Sequence, residues 1–279
     1  MKRLTWTLVL SILVAVGYAV QAEEITKPAR VKKVSDKDNI ERYHVVVSKR
    51  EGAEQVFLFM KVKRPVASVI LFVGGGGKLN IENGVLGRGN SNFVVRSRFR
   101  FAREGFNVAV VDAPSDQRNL RGYRDTLFHA LDIKGVIAYL RKASNVPVWL
   151  IGTSRGTISA ANAASRLKEG GADGLVLTAT VFEQSGGGGT IMDVDLGSIT
   201  VPTLFAHHKQ DRCFVTPYAA VAPHMKSLRN APKVEQIAFE GGLPPEDDHC
   251  EAKGPHGFYG IENKVVRAIG NWIKANNPR

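Results

Sequence analysis

A serine between two glycines is the strongest chemical feature of this chain. Residues 152–156 read Gly-Thr-Ser-Arg-Gly and directly follow an apolar run at 146–151. Gly-x-Ser-x-Gly between a buried strand and a helix is typical of a nucleophile elbow, a tight turn that exposes the hydroxyl of Ser154 above the edge of a sheet. Glycine is needed on both sides because a side chain would crowd the turn. The helix that follows directs free backbone N–H groups at the reacting oxygen.

A serine hydroxyl is a weak nucleophile at neutral pH, so it needs a base that an acid orients. For this kind of elbow the order along the chain is serine, acid, histidine. An apolar run at 201–206 predicts a strand, and Asp211 follows at its carboxyl end, where parallel sheets gather their ligands. His256 lies in Gly-Pro-His-Gly-Phe, ahead of an amphipathic segment that ends at Ile273. Asp211 and His256 are therefore the candidate acid and base.

Four glycines at 74–77 directly follow another apolar run, at 68–73. They resemble a His-Gly-Gly-Gly oxyanion motif with Val73 in the place of the histidine. The predicted oxyanion donors are the backbone N–H groups of Arg155 and of Gly75 or Gly76, and one such donor is worth about 3 kcal/mol in the transition state. A purely structural turn is the alternative interpretation of the four glycines. These glycines do not fit a phosphate loop, because Leu79 stands where that motif needs Ser or Thr. They do not fit a dinucleotide fingerprint either, because Leu79 stands where that motif needs its third glycine.

With these four segments in this order, the chain resembles serine hydrolases of the α/β-hydrolase fold, of the exported esterase and dienelactone-hydrolase-like type, over about residues 42–276. The resemblance implies a mostly parallel central sheet of about eight strands with helices on both faces. It also implies that Ser154 is the nucleophile, Asp211 the acid and His256 the general base, with no cofactor. Dienelactone hydrolases proper carry cysteine at the elbow, so their lactone specificity does not transfer.

The alternation of strand and helix patterns supports this architecture. Residues 42–47 and 55–62 predict an antiparallel strand pair joined through Gly52. Further strands are predicted at 66–73, 106–111, 146–151, 174–181 and 201–206, and helices at 93–103, 123–142, 158–167 and up to Ile273. Residues 182–200, where the family inserts cap domains, are too short for a helical cap. The glycine run at 186–189 is either a flap over the cleft or a plain solvent loop.

Several other titratable residues compete for these roles. His249 is the rival base, but it lacks the Gly-His-Gly setting of His256. Asp193 and Asp195 are rival acids, but they precede the predicted strand at 201–206. Adjacent histidines at 207 and 208 point to opposite faces of a strand, which disfavours a metal site. His129 and Asp132 lie on a predicted helix and are interpreted as surface or packing residues.

The first 22 residues predict a secretory signal peptide cleaved after Ala22, with an uncleaved anchor as the alternative. They have a basic start, an apolar stretch from Leu8 to Val20, and small residues before the cleavage point. Residues 23–41 are then a loose leader or an added edge segment, and 42–279 a single domain. No later segment is long and apolar enough to cross a membrane. The predicted location is the bacterial periplasm or the exterior.

Two cysteines, Cys213 and Cys250, are the only ones in the chain, and an exported protein meets an oxidising compartment. Cys213 lies two residues after Asp211, and Cys250 lies six before His256. A disulfide between them would tie the acid loop to the histidine loop. Two separate buried thiols are the alternative.

The function predicted is a serine esterase for small or medium acyl esters, which acts through an acyl-enzyme intermediate. A peptidase or amidase on the same triad, and a binding protein that keeps the fold without turnover, remain open. The net charge of +12 is scattered along the chain, with no nucleic-acid motif, so a nucleic-acid partner is not expected. A weak preference for anionic substrates or envelope surfaces is the alternative interpretation. The partner expected is a small-molecule acyl substrate, and the oligomeric state stays open.

Overall fold

A computed structural model describes residues 27–29 and 40–278. The predicted signal peptide and most of the predicted leader lie outside these residues. Within them, no helix combines the length and the apolar character that crossing a membrane requires.

The described residues contain eleven strands: β1 (Lys27–Ala29), β2 (Glu41–Arg50), β3 (Ala53–Lys61), β4 (Ala67–Phe72), β5 (Ile81–Glu82), β6 (Val85–Leu86), β7 (Phe106–Val111), β8 (Val148–Thr153), β9 (Gly174–Thr178), β10 (Thr203–His208) and β11 (Val234–Phe239). Nine of them form the central sheet, in the order β1-β2-β3-β7-β4-β8-β9-β10-β11, and β5 and β6 form a separate hairpin. Six neighbouring strands, from β7 through β11 in that order, are parallel, and the other three are antiparallel. The prediction of about eight strands is confirmed, with the three-residue β1 as an added edge strand.

Helices cover both faces of this sheet, and each face has its own hydrophobic core. One core includes the apolar residues of α3 (Leu127–Ala143) and α4 (Gly156–Arg166), and the other includes those of α1 (Phe93–Arg96), α2 (Arg98–Arg103) and α6 (Glu262–Asn276). Strands β4, β7, β8, β9 and β10 are buried along their whole length because both of their faces are covered. The remaining α-helix in the described residues, α5 (Val221–Met225), is short.

Two local predictions need correction, and one strand was not predicted. Helix α3 begins at Leu127 rather than at 123, because the Thr126 side chain accepts a hydrogen bond from the backbone N–H of His129 and caps the helix there. The predicted helix at 93–103 is divided at Ser97 into α1 and α2. Strand β11 was not predicted, because it is an edge strand whose residues are mostly half-buried and carry no continuous apolar run.

The segment between β9 and β10 carries no helical cap. Residues 182–200 contain only two single-turn 3₁₀ helices, Ile191–Asp193 and Leu196–Ser198, and a bridge between Ser185 and Gly188. The predicted absence of a large cap is therefore confirmed for this segment.

His129 and Asp132 are both buried, so their interpretation as surface residues is wrong and only the packing role remains. Asp132 accepts hydrogen bonds from the Tyr123 hydroxyl and from Arg50. Neither ring nitrogen of His129 has a hydrogen-bond partner among the described residues. Burial, reinforced by the charges of Arg124 and Arg50, lowers the pKa of His129 to about 3.

This burial predicts a loss of stability in acid. A histidine in the unfolded chain has a pKa of about 6.5. Between that pH and about pH 3, His129 therefore binds a proton in the unfolded state but stays neutral in the folded state. Its contribution to stability is complete above pH 6.5 and is lost as the pH falls toward 3. We expect His129→Leu to flatten the dependence of the unfolding free energy on pH between these values by up to about 1.4 kcal/mol per pH unit. Urea unfolding of both proteins at a series of pH values measures the slope of the unfolding free energy against pH.

His249→Leu is the matched control, because that histidine is exposed. An unchanged slope in His129→Leu, or an equal flattening in His249→Leu, would contradict the assignment of the proton to His129.

Candidate active site

Ser154 lies in the turn between β8 and α4 with a backbone φ of +52°, in the left-handed region that L-residues rarely adopt. The two flanking glycines are required sterically. A Cβ on Gly152 would lie 2.5 Å from the carbonyl oxygen of Gly156, and one on Gly156 would lie 2.1 Å from that of Phe72. The structure therefore has the strained, crowded turn that the sequence pattern predicts at 152–156.

The glycine loop after β4 packs directly against this turn. A Cβ on Gly74 would lie 2.9 Å from the Cβ of Ser154. The loop is a tight turn in which the Gly77 N–H donates to the Gly74 carbonyl, and Gly75 has a φ of +57°. Within residues 40–278, the backbone N–H groups of Gly75, Gly76 and Arg155 donate to no protein acceptor. All three predicted oxyanion donors line the cavity in front of Ser154.

Arg124 holds the glycine loop from below, a role that the sequence analysis missed. Its fully buried guanidinium donates from Nη2 to the carbonyls of Val73 and Gly75, at 3.1 and 3.2 Å, and from Nη1 to the Ser159 hydroxyl at 2.7 Å. Burial, with the nearby charge of Arg155, lowers the pKa of Arg124 to about 9. No local pattern marks this residue, because its contacts lie about 35 and 50 positions away in the chain.

Asp211 and His256 form a buried pair at the carboxyl end of β10. The His256 Nδ1 lies 3.0 Å from Asp211 Oδ2, and both side chains are almost completely buried. Because a carboxylate only accepts hydrogen bonds, Nδ1 is the protonated nitrogen in this pair. The other ring nitrogen, Nε2, is then free to accept a proton.

The Asp211 carboxylate is held by two further donors. Its Oδ1 accepts from the backbone N–H of Cys213 and its Oδ2 from the Thr216 hydroxyl, both at 2.9 Å. Thr216 was missed in the sequence analysis, where its position in the acid loop, five residues after Asp211, was the one available signal. With both donors the carboxylate has a fixed orientation toward the imidazole.

Cys213 and Cys250 form a disulfide, as predicted, with Cα atoms 4.5 Å apart. The bond joins the loop that carries Asp211 to the segment that leads into His256. Cys213 is buried beside Val181 and Val215, whereas Cys250 is half-buried and lines the cavity in front of Ser154. The prediction of separate buried thiols is excluded.

Ser154 and His256 line the same cavity, which has a volume of about 610 Å³. Within the described part of the chain, the Ser154 hydroxyl makes no hydrogen bond. The structure thus brings serine and histidine to one cavity without joining them directly. Hydrogen bonds of this kind often tighten only when substrate is bound.

The rival residues have other partners. His249 is exposed, and Asp193 caps a 3₁₀ turn together with Thr190. Asp195 accepts a hydrogen bond from Ser198. The two adjacent histidines are buried and separate: His207 contacts Thr180 and His208 contacts the Gly241 carbonyl. Across residues 27–29 and 40–278, no three His, Cys, Asp or Glu side chains are grouped so that they could hold a metal ion.

The glycine run at 186–189 follows Ser185 at the rim of the cavity and contacts two arginines. Arg121 donates to the Gly186 carbonyl at 3.1 Å, and Arg155 donates to the Ser185 carbonyl. A Cβ on Gly188 would overlap the Arg155 guanidinium, so a larger residue there would displace that side chain from its present position. Ser185 lines the cavity, whereas none of the four glycines does, so both predictions for this run stay open.

No protein-family model and no curated protein matches the chain. Solved structures do match it over most of its length. A cold-adapted esterase from an Arctic intertidal metagenomic library has a TM-score of 0.61 at 11% identity and covers 90% of this chain and 98% of its own. An esterase of Pyrococcus furiosus has a TM-score of 0.61 at 13% identity, with 90% and 99% coverage. An α/β serine hydrolase of Xanthomonas campestris described as lacking a lid has a TM-score of 0.54 at 15% identity, with 82% and 95% coverage.

Proposed function

We propose that this chain, which shares the α/β-hydrolase fold with these structures, is a serine hydrolase that cleaves small or medium acyl esters. The observation that carries the proposal is one cavity lined by a strained serine and by a histidine that is bonded to a buried carboxylate. These are the three groups that nucleophilic acyl transfer needs, at the carboxyl edge of a parallel sheet.

In the proposed mechanism, His256 Nε2 takes the proton of the Ser154 hydroxyl while the Oγ of Ser154 attacks the carbonyl carbon of the ester. Asp211 keeps the imidazole in the required tautomer and stabilises the imidazolium that forms. The tetrahedral intermediate collapses, the proton passes from His256 to the leaving alcohol, and an acyl group remains on Ser154. Water activated by His256 then attacks the acyl-enzyme, releases the acid and restores the serine.

The developing oxyanion has three candidate donors. The N–H of Arg155 lies at the start of α4, where unpaired donors and the helix dipole favour negative charge. The N–H groups of Gly75 and Gly76 come from the loop that packs against Ser154. Arg124 acts as a positioning residue for this loop, because it binds the carbonyls and so fixes the direction of the peptide groups.

The proposed location is the bacterial periplasm or the exterior. The disulfide supports an oxidising compartment, since such bonds are rare in the cytosol. Cleavage of the N-terminal segment after Ala22 remains part of this proposal.

A fluorophosphonate probe tests the mechanism without knowledge of the natural substrate, because it reacts only with an activated serine. We expect one adduct on the folded, oxidised protein, which peptide mass spectrometry places on Ser154. His256→Ala should prevent labelling, because the hydroxyl then lacks its base, whereas His249→Ala should leave it intact. No adduct on the folded protein, or an adduct on another serine, would overturn the proposal.

A further inference from the structure

The cavity around Ser154 has a strongly cationic lining. Five positively charged side chains and one carboxylate contribute to its walls: Lys78, Arg88, Arg118, Arg121, Arg155 and Glu251. The cations come from three separate segments of the chain, namely the glycine loop with its following hairpin, the loop before α3, and the elbow. The positive charge is therefore a property of the assembled site and not of one basic run.

None of the five cations is paired with a carboxylate. Across the described residues, no Asp or Glu oxygen lies within 4 Å of their charged nitrogens. Elsewhere in the molecule Arg50 and Arg141 have such partners, in Asp116 and Asp173. The charges around Ser154 are thus available to a bound molecule.

Two of the cations are held in place at the rim by the chain itself. Arg121 and Arg155 both donate to carbonyls of the segment at 185–186. Partial burial, and then the like charge of Arg121, lower the pKa of Arg155. Backbone carbonyls orient these guanidinium groups without neutralising them, so an anion bound between them would relieve their repulsion. Guanidinium groups are well suited to this, because their planar fork binds a carboxylate with two hydrogen bonds.

We propose that the preferred substrates are esters that carry an anionic group, such as a carboxylate, within the reach of this cavity. The inference rests on the proposed esterase function and adds the substrate class. The exposed ring of Phe214, also on the cavity wall, provides an apolar contact for the uncharged part of such an ester.

Matched pairs of esters test the proposal. The mono-4-nitrophenyl ester of adipic acid and 4-nitrophenyl hexanoate differ only in a terminal carboxylate on the acyl side. Ionised 4-acetoxybenzoate and 4-acetoxybenzamide place the charge on the alcohol side instead. After correction for spontaneous hydrolysis, we expect kcat/KM to favour the anionic member of at least one pair by about tenfold or more at low salt. The pair that shows the preference identifies the charged side of the substrate.

The preference should shrink as salt rises from about 0.01 M to about 1 M, because the Debye length falls from about 30 to about 3 Å. Arg118→Gln combined with Arg121→Gln should reduce the ratio of anionic to neutral kcat/KM at low salt. Arg229→Gln combined with Arg267→Gln should leave this ratio unchanged. These two substitutions remove the same amount of positive charge, but from exposed arginines outside the cavity.

The possible outcomes distinguish a failure of the anionic-substrate inference from a failure of the proposed esterase function. Turnover that depends on Ser154 with no preference in either pair would overturn the substrate class and leave the esterase intact. An equal loss of preference in both double variants would also overturn it, because net charge rather than the cavity would then be responsible. Absence of turnover that depends on Ser154 for all four esters would overturn the esterase function and the substrate class together.

Discussion

Replacement of Ser154 with alanine is expected to lower kcat for a 4-nitrophenyl ester by roughly a million-fold, the scale seen when a triad serine is removed. The reason is that the acyl-enzyme route disappears with the Oγ, while substrate binding and the oxyanion donors remain. Initial rates at saturating ester, with the spontaneous rate subtracted, measure the loss. Ser227→Ala is the matched control, because this serine does not line the cavity.

A double variant gives the sharper test of whether serine and histidine act as a unit. If they do, His256→Ala in the Ser154→Ala background should cause no further loss of kcat, because substitutions of residues that act as one unit do not have additive effects. A second loss of similar size in the double variant would show that His256 acts separately from the serine, and would contradict the proposed mechanism.

Removal of the disulfide is expected to have the largest effect on stability. The bond joins positions 37 apart, and closure of such a loop is worth about 4 kcal/mol on the chain-entropy model. We expect the variant with Cys213→Ser and Cys250→Ser to lose about that much unfolding free energy, measured by urea unfolding. Activity per folded molecule should also fall, because the Cys213 N–H bonded to Asp211 belongs to the crosslinked loop.

Reduction provides the control for that variant. Because these are the only two cysteines, a reductant should shift the unfolding midpoint of the natural chain to that of the double serine variant and leave the variant itself unchanged. Equal midpoints for the natural chain with and without reductant would contradict a stabilising disulfide.

The features that the sequence predicted well depend on short patterns. The elbow at 152–156 is recognisable because its glycines are needed within one turn. Asp211 and His256 were predicted to be neighbours because each lies in a distinctive local setting, and the structure brings them within hydrogen-bonding distance. The two cysteines pointed to the same neighbourhood. These signals are local, so one sequence was enough to find them.

The features that the sequence did not predict depend on contacts between distant segments. Arg124 looks like any surface arginine until the fold buries it between Ser159 on α4 and the carbonyls of the glycine loop. Thr216 acquires its place only when the acid loop folds back onto Asp211. Strand β11 lies at an edge of the sheet, where polar residues such as Glu235 and Gln236 are tolerated. Its sequence therefore lacks the continuous apolar run by which the buried strands were predicted.

The same holds for the charge around Ser154. Lys78, Arg118 and Arg155 are scattered along the chain, and the net charge of the whole protein does not reveal that they share one cavity. A basic composition was therefore weak evidence about the substrate, whereas the assembled walls are specific.

The left-handed backbone at Ser154 has a consequence for how this protein evolves. A residue in this region with a side chain costs of order 1–3 kcal/mol, and glycine adopts it without that cost. Substitutions from serine to glycine at this position are therefore favoured by folding and opposed only by the need for a hydroxyl. A lineage released from that need is expected to drift toward glycine, so a serine at position 154 supports the proposal that its hydroxyl is used.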